Sequence, residues 1–331
     1  MHKPFRIVVI GAGEWAQLYH LPALKAIEQE ASLSIIGIWN RTAERAKEAA
    51  RLFGIGQVYR SLDEALDEKR ADCYVILVRS SALFEIATKL LPRRLPLLTE
   101  KPPGKSYSEA HRLAELAVLP NVVAFNRRYM PINRRFKELA DEIRGAYFAE
   151  CQFYRNERSS DHFILETGIH GINYMEHLCG PIRSVRTEKP GGSPTRPSIW
   201  ISSVTFDSGM RGIFKFFPSC GSSLERYELH GRDRSIYLHC PQTYTSDHPG
   251  RILIHEKGRQ TASILDEEGE RILTAGFLAE YRDLFKAIRY GSDTLSNFRN
   301  ASNTMRVAEA IEAGDRDGTV YTLPPEKFGC E

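Results

Sequence analysis

Through the first third of the chain, short β-branched runs alternate with helical patterns, the order expected of βαβ units around a parallel sheet. The apolar runs predict strands at Arg6–Ile10, Leu33–Trp39, a short Gln57–Tyr59, Cys73–Val78 and Leu95–Thr99. Between them, Ala43–Phe53 is Ala-rich and charged. Ser61-Leu62-Asp63-Glu64 and Ser106-Tyr107-Ser108-Glu109 each read as a capping box opening a helix. Pro22 falls inside the first helical pattern, where its missing N–H predicts a kink or break.

After about Asn121 the pattern changes. Strands are predicted at Val122–Phe125, Tyr147–Phe153, Ile199–Phe206, Gly212–Phe217, Tyr227–His230 and Ser235–His239, with helices near Pro131–Ile143, Leu165–Leu178 and, in one long region, Phe277–Ala313. This predicts an α/β domain over 1–121 and an α+β domain with a mostly antiparallel open sheet over 122–331. In the run Ile213 to Phe217, apolar side chains such as Phe214, Phe216 and Phe217 fall on both strand parities, which predicts cover on both sheet faces. Helices would cover one face and a second subunit the other, so a homodimer or homotetramer is expected. Lys189–Pro194 reads as a surface loop.

A length of 331 residues fits two domains better than one, since domains usually settle at roughly 100 to 200 residues. The formal charge of +3 is too small and too dispersed for a nucleic-acid or membrane footprint. No stretch approaches the roughly 20 apolar residues of a membrane span, and the first apolar run is too short for a signal-peptide core. Six scattered cysteines form no CxxC pair and read as reduced thiols, as in the cytoplasm. A small molecule is the expected partner.

The chemistry begins at Gly11-Ala12-Gly13-Glu14-Trp15-Ala16, which follows a strand and opens a helix. A dinucleotide fingerprint needs Gly11 for the tight turn, Gly13 for approach of the backbone to the pyrophosphate, and a small Ala16 for helix packing, so this segment predicts a Rossmann domain. At the end of the second strand, where an NAD enzyme keeps an acid for the ribose 2′-hydroxyl, stand Asn40, Arg41 and Thr42. These offer donors to a 2′-phosphate and point to NADP, with NAD as the alternative; the competing reading makes Arg41 a solvated helix-start residue.

Glu100-Lys101-Pro102 after the fifth strand, Phe125 to Tyr129, and Glu166-Thr167-Gly168-Ile169-His170, taken with Gly11–Ala16, His20–Leu24 and the closing helices around Asn297–Ala310, resemble the Gfo/Idh/MocA oxidoreductase family. The resemblance implies an NAD(P)-dependent enzyme acting on CH–OH groups of a sugar, cyclitol or sugar derivative. It further implies that Lys101 reaches the reacting oxygen and the nicotinamide side and that His170 transfers the proton. Glu166 stands where the family usually has Asp, and Asn173 where an Asp is common. Val78-Arg79-Ser80-Ser81 departs from the family's Pro-Asn pair. On a regular helix, Glu166, His170, Asn173 and Tyr174 share one polar stripe, with Ile169, Ile172 and Met175 opposite, as for a lined pocket. Expected substrate contacts are Lys101, Arg128, Glu166, Asn173 and Tyr174, although Arg127 and Arg128 could instead pair with surface acids and Tyr174 fits packing better than chemistry. Glu166, His170 and His177 lack the companions of a metal set, so no metal is expected. A dinucleotide-binding regulator that keeps the fold and loses the reaction is the rival reading, and a reductase of a non-sugar ring compound a third.

Overall fold

The computed structural model describes residues 4–30, 32–158, 162–191, 198–241, 247–314 and 320–323. They form two compact units: the described parts of Met1–Tyr129 with Glu270–Ser302, and those of Met130–Gly269 with Asn303–Lys327.

The first unit is built on a five-stranded parallel sheet of order β2-β1-β3-β4-β5, comprising β1 (Phe5–Ile10), β2 (Leu33–Trp39), β3 (Cys73–Ile76), β4 (Leu97–Thr99) and β5 (Asn121–Val123). The interior strand β1 shows no alternation of buried and exposed positions: Ile7, Val8, Val9 and Ile10 are all fully buried, as in a sheet covered on both faces. Between and after its strands run α1 (Leu21–Glu30), α2 (Ala43–Phe53), α3 (Leu62–Leu66), α4 (Ser80–Leu90) and α5 (Tyr107–Leu116). Both capping boxes form: the Ser61 and Ser106 hydroxyls accept the Glu64 and Glu109 N–H groups at 3.1 and 3.2 Å. In the reciprocal bonds the Glu64 and Glu109 carboxylates accept the N–H groups of Arg60 and Lys105, one residue further back than expected.

Three expectations change here. Residues 121–123, expected to start the second sheet, pair in parallel with β4 instead. Gln57–Tyr59 makes a single bridge, Ile38 to Val58, rather than a strand. The long C-terminal helical region is broken by Gly291, in the left-handed conformation at φ 65°, into α9 (Phe277–Tyr290) and α10 (Phe298–Ala313), after a short α8 (Arg271–Thr274). Phe277, Leu278, Tyr281 and Leu284 of α9 join the core of the first unit with Leu24 and Ile27 of α1. The Pro22 break takes a specific form. Ala16–His20 is a π-helical turn closed by the Leu21 N–H on the Ala16 carbonyl, and α1 follows with Pro22 in its first turn, where its missing donor costs least.

The second unit carries a nine-stranded sheet of order β13-β12-β11-β10-β6-β9-β8-β7-β14, in which only β6 and β9 run parallel. Its strands are β6 (Phe148–Tyr154), β7 (Ile182–Glu188), β8 (Trp200–Phe206), β9 (Arg211–Phe217), β10 (Leu224–His230), β11 (Arg234–His239), β12 (Arg251–Glu256), β13 (Arg259–Leu265) and β14 (Val320–Thr322). β7, β12, β13 and β14 are not among the expected strands: Arg183 and Arg186 interrupt the apolar alternation of β7, β12 has charged ends, β13 opens on the polar run Arg259-Gln260-Thr261, and β14 is only three residues long. Ala149, Cys151, Phe153, Phe214, Phe216 and Tyr227 are buried on one face. On the other, Tyr154 stacks on Phe217 at 4.4 Å, and these two, with Glu150, Ile213, Lys215 and Tyr237, are half-buried. The helices of this unit are α6 (Pro131–Asp141) and α7 (Ile169–Cys179). Gly168 and Gly171 let α7 lie close to the sheet: a Cβ on Gly171 would meet the Cys151 sulfur at 2.9 Å, and one on Gly168 the Phe216 ring at 3.1 Å.

Cys73, Cys151, Cys179, Cys220 and Cys240 are free thiols, while Cys330 and part of the Lys189–Pro194 segment lie outside the described residues. Among the described residues, no helix is long and apolar enough to cross a membrane, and no three His, Cys, Asp or Glu residues gather as a metal-holding group.

Candidate functional site

The cofactor segment lies where β1 ends. Gly11 adopts φ 114°, and a Cβ there would sit 2.3 Å from the Leu77 carbonyl oxygen, so only glycine fits this turn. Above Gly13 a Cβ would meet nothing within 4 Å. The protein therefore leaves open space beside the Gly13 backbone, at the N-terminus of the helical turn that begins with Glu14, which is the cradle a pyrophosphate needs. On this observation the residues present fit a dinucleotide.

Asn40 closes the cradle from the end of β2. Its Oδ1 accepts the Ala12 N–H at 3.0 Å and its Nδ2 donates to the Thr42 carbonyl at 2.9 Å. Asn40 thus shapes the loop, while Arg41 and Thr42 stand exposed beside it. Trp15 is 46% exposed, and its ring begins an aromatic column onto Tyr19 at 4.9 Å and then Phe277 at 4.6 Å. Arg79 is exposed at the start of α4.

Glu100 and Lys101 follow β4 on the same carboxyl edge, where open α/β sheets bind ligands. Glu100 is held at both oxygens: Oε1 lies 3.0 Å from His20 Nε2, and Oε2 accepts the Lys101 N–H at 3.0 Å. Burial pushes the Glu100 carboxyl up, but the His20 hydrogen bond and charge, with the charge and N–H of Lys101, outweigh it and leave the group below the usual carboxylate range. Behind His20, Nδ1 lies 2.9 Å from the Tyr281 hydroxyl. Sequence reasoning placed neither His20 nor Tyr281 in the site, and the only signal was a histidine inside an otherwise apolar His20–Leu24 run. Arg127 and Arg128 are buried rather than on the surface, with Nη1 of Arg128 donating to the Leu295 carbonyl at 2.6 Å.

In the second unit, the segment carrying Glu166 and His170 is not a regular helix. Ile164–Gly168 forms a π-helical turn closed by the Ile169 N–H on the Ile164 carbonyl, and α7 follows. Such turns are frequent at functional sites. Glu166 is exposed and His170 is buried at 8%. The expected contrast of a polar pocket stripe against an apolar core stripe gives way to a helix buried all round from Ile169 to Glu176. Neither Asn173 nor Tyr174 has exposed surface. The Asn173 Nδ2 donates to the Thr304 hydroxyl at 3.0 Å, that hydroxyl donates to Glu176 Oε2 at 2.6 Å, and the Tyr174 hydroxyl donates to the Asn133 carbonyl at 2.6 Å.

Comparison with known proteins places both units. Residues 5–126 match the NAD-binding Rossmann domain, and residues 137–323 the C-terminal alpha/beta domain, of the Gfo/Idh/MocA oxidoreductase family, to which the chain belongs. The chain is 23% identical over 224 residues to the rhizopine catabolism protein MocA of Rhizobium meliloti, covering 63% of this chain and 64% of that one. The curated relatives it matches are spanned over about a third to just under two thirds of their length, from 35% to 64%. Among solved structures, it resembles GenD2 of gentamicin A biosynthesis in complex with NAD (TM-score 0.80, 19% identity, 98% of each chain). It also resembles the UDP-N-acetylglucosamine 3-dehydrogenase GnnA of Acidithiobacillus ferrooxidans (TM-score 0.77, 18% identity, 94% of this chain and 98% of that one). At these identities the structures establish the fold.

Proposed function

We propose that this chain is an NADP-dependent dehydrogenase or ketoreductase that moves a hydride between the nicotinamide and a carbinol or ketone carbon of a sugar, cyclitol or sugar derivative. The observation that carries the reading is the shared carboxyl edge of the first sheet, which places the open Gly13 cradle and the braced Glu100-Lys101 pair on one ligand-binding rim. The family, and a structural neighbour named as a UDP-N-acetylglucosamine 3-dehydrogenase, support the substrate class. Exposed Arg41 and Thr42, with no acid among residues 38–42 at the end of β2, support NADP over NAD.

When bound, the nicotinamide supplies or accepts the hydride. The oxygen on the reacting carbon must gain or lose a proton in the same event. His170 exchanges that proton, the Lys101 ammonium stabilises alkoxide character on the oxygen, and Glu166, exposed beside His170 in sequence, orients a substrate hydroxyl. The half-buried face of the nine-stranded sheet, with its Tyr154–Phe217 stack, would be covered by a second copy of the chain in a cytoplasmic homo-oligomer.

The test is oxidation of NADPH and NADH by the purified protein with a panel of keto-sugars and keto-cyclitols. Turnover favouring NADPH supports the reading. Tight cofactor binding with no turnover across the panel would instead favour a regulator that keeps the fold.

A further inference from the structure

Behind Glu100 lies a series of polar groups that hydride transfer does not require. His20 is fully buried, and its ring is fixed by hydrogen bonds at both nitrogens, 2.9 Å to Tyr281 and 3.0 Å to Glu100, and by the edge of Phe277 with centroids 4.8 Å apart at 87°. A buried imidazole is costly unless both nitrogens are satisfied, and this one meets that condition only while Glu100 and Tyr281 stay in place. Because Glu100 is ionised, Nε2 carries the proton, and in the neutral ring Tyr281 donates to Nδ1.

We infer that His20, backed by Tyr281, is a positioning residue: by gripping one oxygen of Glu100 while the other holds the Lys101 N–H, it fixes the backbone at Lys101 and keeps the Glu100 charge next to it. The inference rests on the proposed role of Lys101. The groups facing Glu100 include His20, Lys101, the Tyr281 hydroxyl and the carboxyl of Glu280 from α9, Arg127 and Asp283 in turn act on Glu280, and His20 meets Tyr281, Glu100 and the Phe277 ring. Glu280 is fully buried and, through burial first and then the Glu100 charge, is pushed well above the usual carboxylate range, so Glu100 carries the negative charge of that pair. Without the His20 N–H, nothing on that side opposes the burial of Glu100. The carboxylate is driven toward its protonated form, and the Lys101 ammonium loses the contribution of the Glu100 charge.

The experiment reads Lys101 directly and needs no substrate. The full-length protein is acetylated with N-acetoxysuccinimide from pH 6.5 to 9.5, and modification of Lys101 is followed by peptide mass spectrometry against exposed Lys89 as an internal reference. In His20→Phe, the Lys101 midpoint is expected to fall and its labelling at pH 8 to rise several-fold relative to Lys89. In His20→Gln, which keeps an N–H toward Glu100, it stays close to wild type, and Tyr281→Phe gives a smaller shift in the same direction. A residue needed only for folding would change the melting temperature without this rescue pattern. An unchanged Lys101 midpoint in folded His20→Phe, or equal shifts in the Phe and Gln variants, overturns the inference. If His20→Phe does not fold, Tyr281→Phe decides, and an unchanged midpoint there has the same meaning. The two readings fail separately: a shifted Lys101 with no reducible substrate retains the brace and removes the reaction, whereas turnover that survives Lys101→Ala removes the role of Lys101 and leaves the labelling to judge His20.

Discussion

The rim of the first sheet and helix α7 of the second unit both concentrate polar side chains, yet they use them in opposite ways. At the rim, Asn40, Glu100 and His20 come from separate elements and bond to one another or to loop backbone, leaving Trp15, Arg41 and Thr42 facing solvent. In α7, Asn173, Tyr174 and Glu176 sit within one turn of each other and all point to interior partners. A strand end exposes whatever its loop presents. A helix laid on a sheet through Gly168 and Gly171, and bonded to Asn133 and Thr304, exposes almost nothing. Polar density along a sequence therefore does not by itself tell a solvent-facing site from a satisfied interior.

The largest effect that can break this contrast is at His170. His170→Ala is expected to lower turnover by roughly 10²- to 10⁴-fold, the usual contribution of a positioned acid or base, with cofactor affinity nearly intact because the Gly11 loop belongs to the other unit. The loss from Lys101→Ala should not add to it if both groups act on one oxygen. Steady-state NADPH oxidation across pH for both variants and the double mutant is the measurement. Retained activity with an unchanged pH profile would make His170 another core residue of α7.

At the rim, Arg41→Ala should weaken NADP(H) binding by about 1.5 to 3 kcal/mol, or roughly ten- to 150-fold, and leave NAD(H) nearly unchanged. Isothermal titration with both cofactors checks it. Equal affinities in the unmodified protein would remove the 2′-phosphate from the argument.

These two regions also differ in how far the sequence revealed them. The Gly11 cradle was legible because φ 114° and the 2.3 Å approach to Leu77 force a glycine that local spacing displays. The Ser61 and Ser106 caps were legible for the same reason, as contacts within four residues. Asn40 was read as a phosphate donor, but its partner Ala12 lies 28 residues away, and no local pattern reports such a bond. His20 and Tyr281 are 261 residues apart. The helical stripe of Glu166, His170, Asn173 and Tyr174 assumed a regular period and one wet face; the π turn breaks the first, and the packing of α7 removes the second.

Glu280 gives an effect on a slope. Its folded-state pKa is raised by burial, so the folded protein holds a proton that the unfolded chain releases near 4.5. Between that pH and the folded value the unfolded state binds fewer protons, and stability falls as pH rises. Glu280→Gln removes the titration, so its urea-unfolding free energy should decline less than wild type between pH 5 and 8. Parallel curves would show that Glu280 is ionised and paired in the folded protein.

The smallest effect separates packing from chemistry in α7. Tyr174→Phe removes only the hydroxyl that donates to the Asn133 carbonyl at 2.6 Å, and the ring keeps its T-shaped contact with Tyr227 at 4.7 Å. A buried carbonyl left without its donor costs about 1 to 3 kcal/mol, which urea unfolding resolves. If the hydroxyl serves the core, stability falls by that amount while KM and the pH dependence of kcat stay as in wild type. If it reaches substrate, KM rises by more than the small stability change can account for, since folded protein is still in large excess at that cost. A lowered kcat with an altered pH profile would go further and make Tyr174, rather than His170, the group that exchanges the proton, placing chemistry on a part of α7 that has no exposed surface in this structure.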